Sequence, residues 1–381
     1  MARASLRVGA ASLARYQLAL ALALGCDRVI CLAEKVQPEL TQLQAVAEES
    51  GCQLMHAAGL PGLMALVSAG DEVFAFADGL LAWPDVAIEA LEGPQAVLVQ
   101  PIEAGLARGF ERMDINHAAA GAMRVPGHLV ARLADHPADC DVFSTLQRIA
   151  LQAGIGQRLL PAAAHEAGCW NLVRSDAEAH VVEPLWIRLL TAAPGHNTPS
   201  MMLARRGVRL FGPALLHAGS SGTVVAIAGV VTCALALVLG WFGVGLVGFV
   251  VAAWGWLLFM AAALLGRVER RSLRLAAPRT APLVLYGAAM DAVLALMLAW
   301  TMAAEGGLAL LWLRGFIALV LLGLLRLVRL ACPGSVWLED RGLLALALAG
   351  LAGLGWLAPG TGVLALLCLA YGILRISPSG D

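Results

Sequence analysis

Two patterns of apolar residues divide the chain. Up to about residue 216 the apolar positions come in short runs. Leu6-Arg7-Val8, Arg28-Val29-Ile30-Cys31, Glu72-Val73-Phe74-Ala75-Phe76 and Ala96-Val97-Leu98-Val99 read as strands. Helical periodicity occupies about 12–24, 38–50, 60–69, 126–135, 143–153 and 177–191. Alternation of this kind predicts an α/β domain, a mostly parallel sheet with a crevice at the carboxyl ends of its strands. From about residue 220 the runs lengthen, covering roughly 222–239, 244–265, 282–303, 307–325, 342–358 and 360–376. A helix crosses a bilayer with about 20 apolar residues, so this half is predicted to be an all-α polytopic membrane domain of about six helices.

The domain plan follows: 1–192 α/β, 193–221 linker, 222–381 membrane. The linker holds the breakers Pro194, Gly195, Pro199, Gly212-Pro213 and Gly219-Ser220-Ser221. Between them, 200–211 forms a short amphipathic helix carrying Arg205, Arg206 and Arg209, suited to lying on an anionic leaflet.

Composition sharpens this picture. The 381 residues are 60% hydrophobic and only 14% charged, with mean hydropathy +0.77, which excludes a purely soluble or disordered chain. Net charge is −1, but residues 1–216 hold 16 basic and 21 acidic side chains, and residues 217–381 hold 10 and 6. No basic stripe marks the N-terminal half, so nucleic acid is not an expected partner. Arg205, Arg206, Arg209, Arg267, Arg270, Arg271, Arg274, Arg279, Arg326, Arg329, Arg341 and Arg375 fall on one side of the predicted spans, and the opposite loops carry no basic residue. The positive-inside rule then places the N-terminal domain and the C-terminus in the cytoplasm of a multi-pass protein of a bacterial-type inner membrane. The N-terminus resembles a signal peptide only briefly, because Arg15 interrupts its apolar region. The eight cysteines show neither Cys-x-x-Cys nor zinc spacing, and read as reduced thiols used as small hydrophobes.

Candidate chemistry is sparse. Asp78-Gly79 closes an apolar strand, where a carboxylate can hold Mg²⁺ on a nucleotide phosphate or simply form a turn. Gly9-Ala10-Ala11-Ser12, followed by Arg15, is a small-residue loop opening a helix, either a phosphate cradle or an ordinary strand–helix connection. Residues 110–117 (Phe-Glu-Arg-Met-Asp-Ile-Asn-His) read as a solvated edge strand or a site wall, and His165 and His180 as surface residues. Within the spans stand Asp291 and Arg314, at similar depth; both are expensive in lipid unless paired or facing a cavity, and they are expected to pair with each other. Arg267, Arg270, Arg271 and Arg274 crowd one span end, as topology determinants or as a pocket for lipid or nucleotide phosphate.

This layout resembles the bifunctional inositol-1-phosphate cytidylyltransferase / di-myo-inositol-phosphate-phosphate synthase family. There a GT-A-like nucleotidyltransferase domain precedes a CDP-alcohol phosphotransferase membrane domain. The resemblance spans nearly the whole chain in layout, and the motifs are degenerate. The membrane motif of the family is Asp-x-x-Asp-Gly-x-x-Ala-Arg, a spacer of eight or nine, then Gly-x-x-x-Asp-x-x-x-Asp. Here Gly266 and Glu269 stand at the first two Asp positions, Arg270 at the Gly, and Arg274 matches. After a spacer of twelve, Gly287 and Asp291 match, and Ala295 replaces the last Asp. In the soluble half, Asp78 corresponds to the family's first metal-binding Asp and Asp176 is a candidate for the later one. Lys35 stands on the wrong element for the family's Pro-Lys.

The resemblance therefore implies a relative of lipid headgroup enzymes with most metal-holding carboxylates gone. Its phosphate-binding candidates are Gly9, Ser12, Arg15, Arg267, Arg270 and Arg274, and its residual metal candidates are Asp78 and Asp291. No residue is assigned as catalytic and no cofactor is expected, with Mg²⁺ required only if the soluble domain turns over. Expected partners are the bilayer, an anionic phospholipid or nucleotide-activated headgroup, and a protein partner or second copy. The alternatives are an active nucleotidyltransferase or CDP-alcohol phosphatidyltransferase of phospholipid biosynthesis, and a transporter-like protein with Asp291 and Arg314 on its path.

Overall fold

The computed structural model describes residues 3–9, 11–33, 38–137, 140–162, 164, 168–192, 198–217, 221–273, 282–303, 320, 323 and 340–376. Lys35, His165, Arg274, Arg279, Arg314, Arg326, Arg329 and the predicted span 307–325 lie outside them, as do the side chains of Glu269, Arg271 and Arg375. Two units are distinguished: Met1–Leu189 with Arg271–Arg274, and Leu190–Arg270 with Leu275–Asp381.

The first unit is α/β. Its elements are β1 (Arg7–Val8), β2 (Ala11–Ser12), α1 (Leu13–Ala23), β3 (Arg28–Leu32), α2 (Pro38–Glu49), β4 (Gln53–Ala57), α3 (Gly59–Leu66), β5 (Glu72–Phe76), β6 (Leu80–Ala82), α4 (Pro84–Leu91), β7 (Ala96–Pro101), α5 (Ile102–Ala107), β8 (His117–Pro126), α6 (His128–Ala131), α7 (Val142–Gln152), β9 (Gly156–Leu159), β10 (Trp170–Leu172) and α8 (Asp176–Thr191). Local rules account for several ends. Asp141 caps α7 by accepting the Ser144 N–H at 3.1 Å, and Pro84 opens α4 where its missing N–H costs nothing.

The sheets correct the expectation of a mostly parallel arrangement. The largest has four strands in the order β5-β8-β7-β9, and β8 runs antiparallel to both neighbours. Among the described residues only β3 with β4 and β7 with β9 are parallel pairs. The expected polar edge strand at 110–117 is instead a loop: the Asp114 carboxylate accepts the N–H groups of Asn116 and His117 and faces the His117 ring. The strand begins at His117 and runs through the buried Ala118, Ala119 and Ala120 in the middle of the sheet. At Ala120 a small side chain is set by what lies above it. The Trp170 indole, fully buried, packs on this strand and donates its N–H to the Ala120 carbonyl at 2.7 Å.

The second unit is helical: α9 (Pro199–His217), α10 (Ser221–Trp241), α11 (Gly245–Leu273), α12 (Pro282–Ala303), α13 (Arg341–Gly353) and α14 (Leu357–Ile376). Among the described residues three stretches, Gly222–Trp241, Gly245–Val268 and Pro282–Met302, are long and apolar enough to cross a membrane, which marks a membrane protein. The helices α10, α11 and α12 approach closely where side chains are small: a Cβ on Gly255 would stand 2.8 Å from the Cys233 sulfur, and one on Gly248 2.7 Å from a Met297 methyl. In contrast, α13 has only 13 residues, about 20 Å at the helical rise, which is short of the roughly 30 Å hydrocarbon layer.

Candidate functional site

Each unit holds candidate positions built around groups that the sequence singles out.

In the first unit, β5 ends at Phe76 and the Ala77 N–H is held by the Gly121 carbonyl. Asp78 follows, then Gly79 with φ +90°, where a Cβ would lie 2.3 Å from the Val173 carbonyl oxygen. The turn therefore demands glycine, and it leaves Asp78 partly exposed and partly enclosed by the surrounding protein. Surrounding protein pushes the Asp78 carboxyl above its ordinary pKa; Arg3 opposes this and Asp141 adds to it. Arg3 lies along the same turn, within 3.4 Å of where a Gly79 Cβ would be. It also helps draw down the Glu178 carboxyl, after the larger effect of Arg174, whose guanidinium sits 2.7 Å from Glu178. Cys31 is a free thiol raised by burial and by Asp78. Arg3 and Arg174 carry no site signal in the sequence: one is an isolated N-terminal arginine, and the other stands two residues before α8.

The Gly9 loop sits elsewhere in this unit, and its donor is committed. Gly9 has φ +64° between β1 and β2, and its N–H donates to Glu183 Oε1 at 3.0 Å. The Glu183 side chain is 3% exposed, with His180 Nδ1 at 3.7 Å from its other oxygen. A backbone donor expected to meet phosphate thus meets a carboxylate of the same chain. Ser12 is buried and its hydroxyl makes no cap bond on α1. Arg15 lies half-buried within α1, and Asp176 opens α8 in an exposed position.

In the second unit, Asp291 lies nine residues into α12, about 14 Å along it. Both of its oxygens are taken by Arg341: Nε to Oδ1 at 2.6 Å and Nη2 to Oδ2 at 2.9 Å. The expected partner, Arg314, lies outside the described residues, and the observed one is the first residue of α13. Arg341, expected at the end of a span, is the first residue of α13, and from that helix end its guanidinium reaches Asp291. Gly287, one turn before Asp291, makes room: a Cβ on it would meet the guanidinium carbon at 3.0 Å. On the guanidinium's other flank lies the Trp256 ring, 5.2 Å away.

Beside this pair sits a carboxylate that the sequence reading passed over. Asp340 is 2% exposed. It caps α13 by accepting the Gly342 N–H at 2.9 Å and the Leu343 N–H at 3.3 Å, and it accepts the Ser200 N–H at 2.6 Å and the Ser200 hydroxyl. The N-termini of α9 and α13 therefore converge on one buried carboxylate, which satisfies orphan donors of both helices and complements both dipoles. The signal was present as Asp-Arg-Gly opening an apolar helix, a cap signature. Farther along α11, Arg270 folds back over Gly266, with Nη1 3.3 Å from a Cβ built there. Arg267 is half-buried in the same turn, and Arg274 lies outside the described residues.

Chemically, a bidentate guanidinium neutralises Asp291 and consumes the oxygens a divalent ion would need. Among the described residues, no group of three or more His, Cys, Asp or Glu is placed to hold a metal ion. No family model matches the chain, and no curated protein matches its sequence.

Proposed function

We propose that this is a multi-pass membrane protein on the plan of the CDP-alcohol phosphotransferases, fused to a nucleotidyltransferase-like cytoplasmic domain. In this reading it has lost turnover and serves as a binding, scaffold or regulatory component of polar-lipid synthesis in a bacterial-type inner membrane. It holds its N-terminal domain and C-terminus in the cytoplasm, where the arginines gather. The observation that carries the reading is Arg341 on Asp291. Asp291 is the one Asp of the membrane motif that the sequence keeps, and the chain answers it with its own arginine. The Gly9 N–H closed by Glu183 supports the same reading in the soluble domain.

The test is turnover by the purified, reconstituted chain, given CTP or a CDP-alcohol, a labelled phosphoalcohol and Mg²⁺ or Mn²⁺. The reading expects no product, together with retention of phospholipid that weakens when Arg267, Arg270 and Arg274 are replaced by Gln. Product formation overturns it. A second reading, an active cytoplasmic nucleotidyltransferase, rests on Asp78: the residue keeps part of its surface in solvent beside Arg3, and its carboxylate accepts no hydrogen bond among the described residues. That reading expects CTP turnover abolished in Asp78→Ala.

A further inference from the structure

Two turns of the second unit meet at one level. The turn between α10 and α11 carries Trp241 and Phe242, and the turn between α13 and α14 carries Leu354 and Trp356. Close contacts at small residues hold them together. A Cβ on Gly245, the first residue of α11, would stand 3.0 Å from the Thr301 methyl in the last turn of α12 and 3.5 Å from the Ala352 Cβ in the last turn of α13. A Cβ on Gly353, which ends α13, would stand 2.5 Å from a Leu246 methyl. Trp241 packs edge-on against Trp300 of α12, with ring centroids 5.2 Å apart. The start of α11 and the ends of α10, α12 and α13 therefore share one level. Large apolar side chains stand out from it: Trp241 is 67% exposed, Phe242 74%, Leu354 74% and Trp356 66%. Residues 241–245 and 354–357 hold no charged side chain.

We infer that these two turns form one surface that binds the headgroup–acyl boundary of a bilayer, and that α13 is in consequence a half-crossing helix whose capped start lies inside the hydrocarbon layer. This rests on the membrane reading of the three long apolar helices and is independent of the lost-turnover reading. Tryptophan suits that boundary, with an apolar ring and an N–H that stays wet. A bilayer fits the surface better than a second protein does, because the four side chains lie level with the ends of candidate spans and nothing charged is there to direct a partner. Length fixes the rest. From Trp241 back to Gly222 the candidate span has 20 residues, about 30 Å, which is a full hydrocarbon layer. From the same level α13 reaches back 13 residues, about 20 Å, so its start stops about 10 Å short of the opposite boundary. Tilting α13 only lengthens that shortfall. The ion pair agrees: Asp291 lies as far from the end of α12 as Arg341 lies from the end of α13. A helix start inside hydrocarbon has no water for its N–H groups and must find acceptors within the protein. Asp340 supplies them to Gly342 and Leu343, and Ser200 in turn saturates Asp340.

The experiment reads depth with the fluorescent residue acridonylalanine at position 242, 346 or 354. All three positions are exposed, so the substitution stays out of the packing. Leu346 lies eight residues before Leu354, about 12 Å along α13. The full chain is reconstituted in phosphatidylcholine vesicles that carry a nitroxide either on the headgroup or at the far end of an acyl chain. The expected result is that the headgroup nitroxide causes the larger loss of fluorescence at 242 and 354, and the acyl-end nitroxide the larger loss at 346. With the headgroup nitroxide confined to one monolayer of vesicles into which the chain inserts one way, 242 and 354 are both quenched or both spared. A larger loss at 354 from the acyl-end nitroxide overturns the inference, as does a larger loss at 346 from the headgroup nitroxide. Opposite responses of 242 and 354 to the one-sided label overturn the shared surface. A residue 354 quenched by neither nitroxide, with 242 behaving as expected, overturns the inference in favour of a protein interface and leaves the membrane reading standing. A residue 242 quenched by neither overturns both.

Discussion

The two units answer the same problem with opposite charges. In the first, a backbone donor at a glycine turn is closed by a carboxylate, Gly9 by Glu183. In the second, a carboxylate one turn from a glycine is closed by a guanidinium, Asp291 by Arg341. In each case the position that could meet a ligand is met by a side chain from far along the sequence. The difference lies in what surrounds the pair. Glu183 is almost fully enclosed, whereas the Arg341 and Asp291 side chains remain 19% and 25% exposed. An uncompensated charge inside a membrane unit is also harder to accommodate than an unmet N–H in a soluble one. The membrane pair should therefore be the more sensitive to substitution.

That ordering can be broken by mutation. Arg341→Ala leaves Asp291 without its partner, and a loss of about 3–5 kcal/mol is expected. Thermal unfolding of the purified protein in detergent reads it, with Asp291→Leu/Arg341→Leu recovering most of the loss. A double variant as unstable as Arg341→Ala would mean that the ion pair is not the source. Asp340→Ala comes next. It removes the cap of α13 and the acceptor of Ser200 together, at about 2–3 kcal/mol, while Ser200→Ala alone should cost about 1 kcal/mol. In the soluble unit, Glu183→Ala is expected to cost about 1–2 kcal/mol. It should also create a protein whose melting temperature rises with added phosphate, while the wild type does not respond. An identical phosphate response in both would show that Glu183 does not close the loop.

The smallest effect concerns Asp78, and its sign is opposite. Burial raises its folded-state pKa above the unfolded value, so the folded state binds the proton more tightly and the ionised carboxylate opposes folding at neutral pH. Asp78→Asn should therefore raise the melting temperature slightly at pH 7. The gain should shrink as pH falls through the raised pKa, where the wild-type carboxyl is already protonated. A loss of stability at pH 7 would assign Asp78 a structural partner.

Much of the fold was legible because its signals are local. The predicted helix 12–24 is Leu13–Ala23, the strand 72–76 is Glu72–Phe76, and the apolar runs at 222–239, 244–265 and 282–303 are the three long helices. The failures share a cause: each depends on a partner distant in sequence. The run Ala118-Ala119-Ala120 lacks the β-branched residues that mark a strand, yet it pairs as one, with Ala120 covered by Trp170, fifty positions away. The parallel sheet was inferred from alternation alone, which is blind to an antiparallel strand inserted between two others. The partner of Asp291 was sought at matching depth by counting residues from span ends. That count weighs only charges inside spans, whereas Arg341 at the start of α13 reaches Asp291 from a helix end. Asp340 was missed for a simpler reason, since a carboxylate at a helix start reads as an ordinary cap until its second helix is seen.

The central claim is that Asp291 is held by arginine in place of a metal ion. Electron paramagnetic resonance of Mn²⁺ added to the reconstituted protein, with and without a CDP-alcohol, tests it most directly. The account predicts that any bound-manganese signal is the same in wild type and Asp291→Asn. Bound manganese in the wild type that disappears in Asp291→Asn would contradict it.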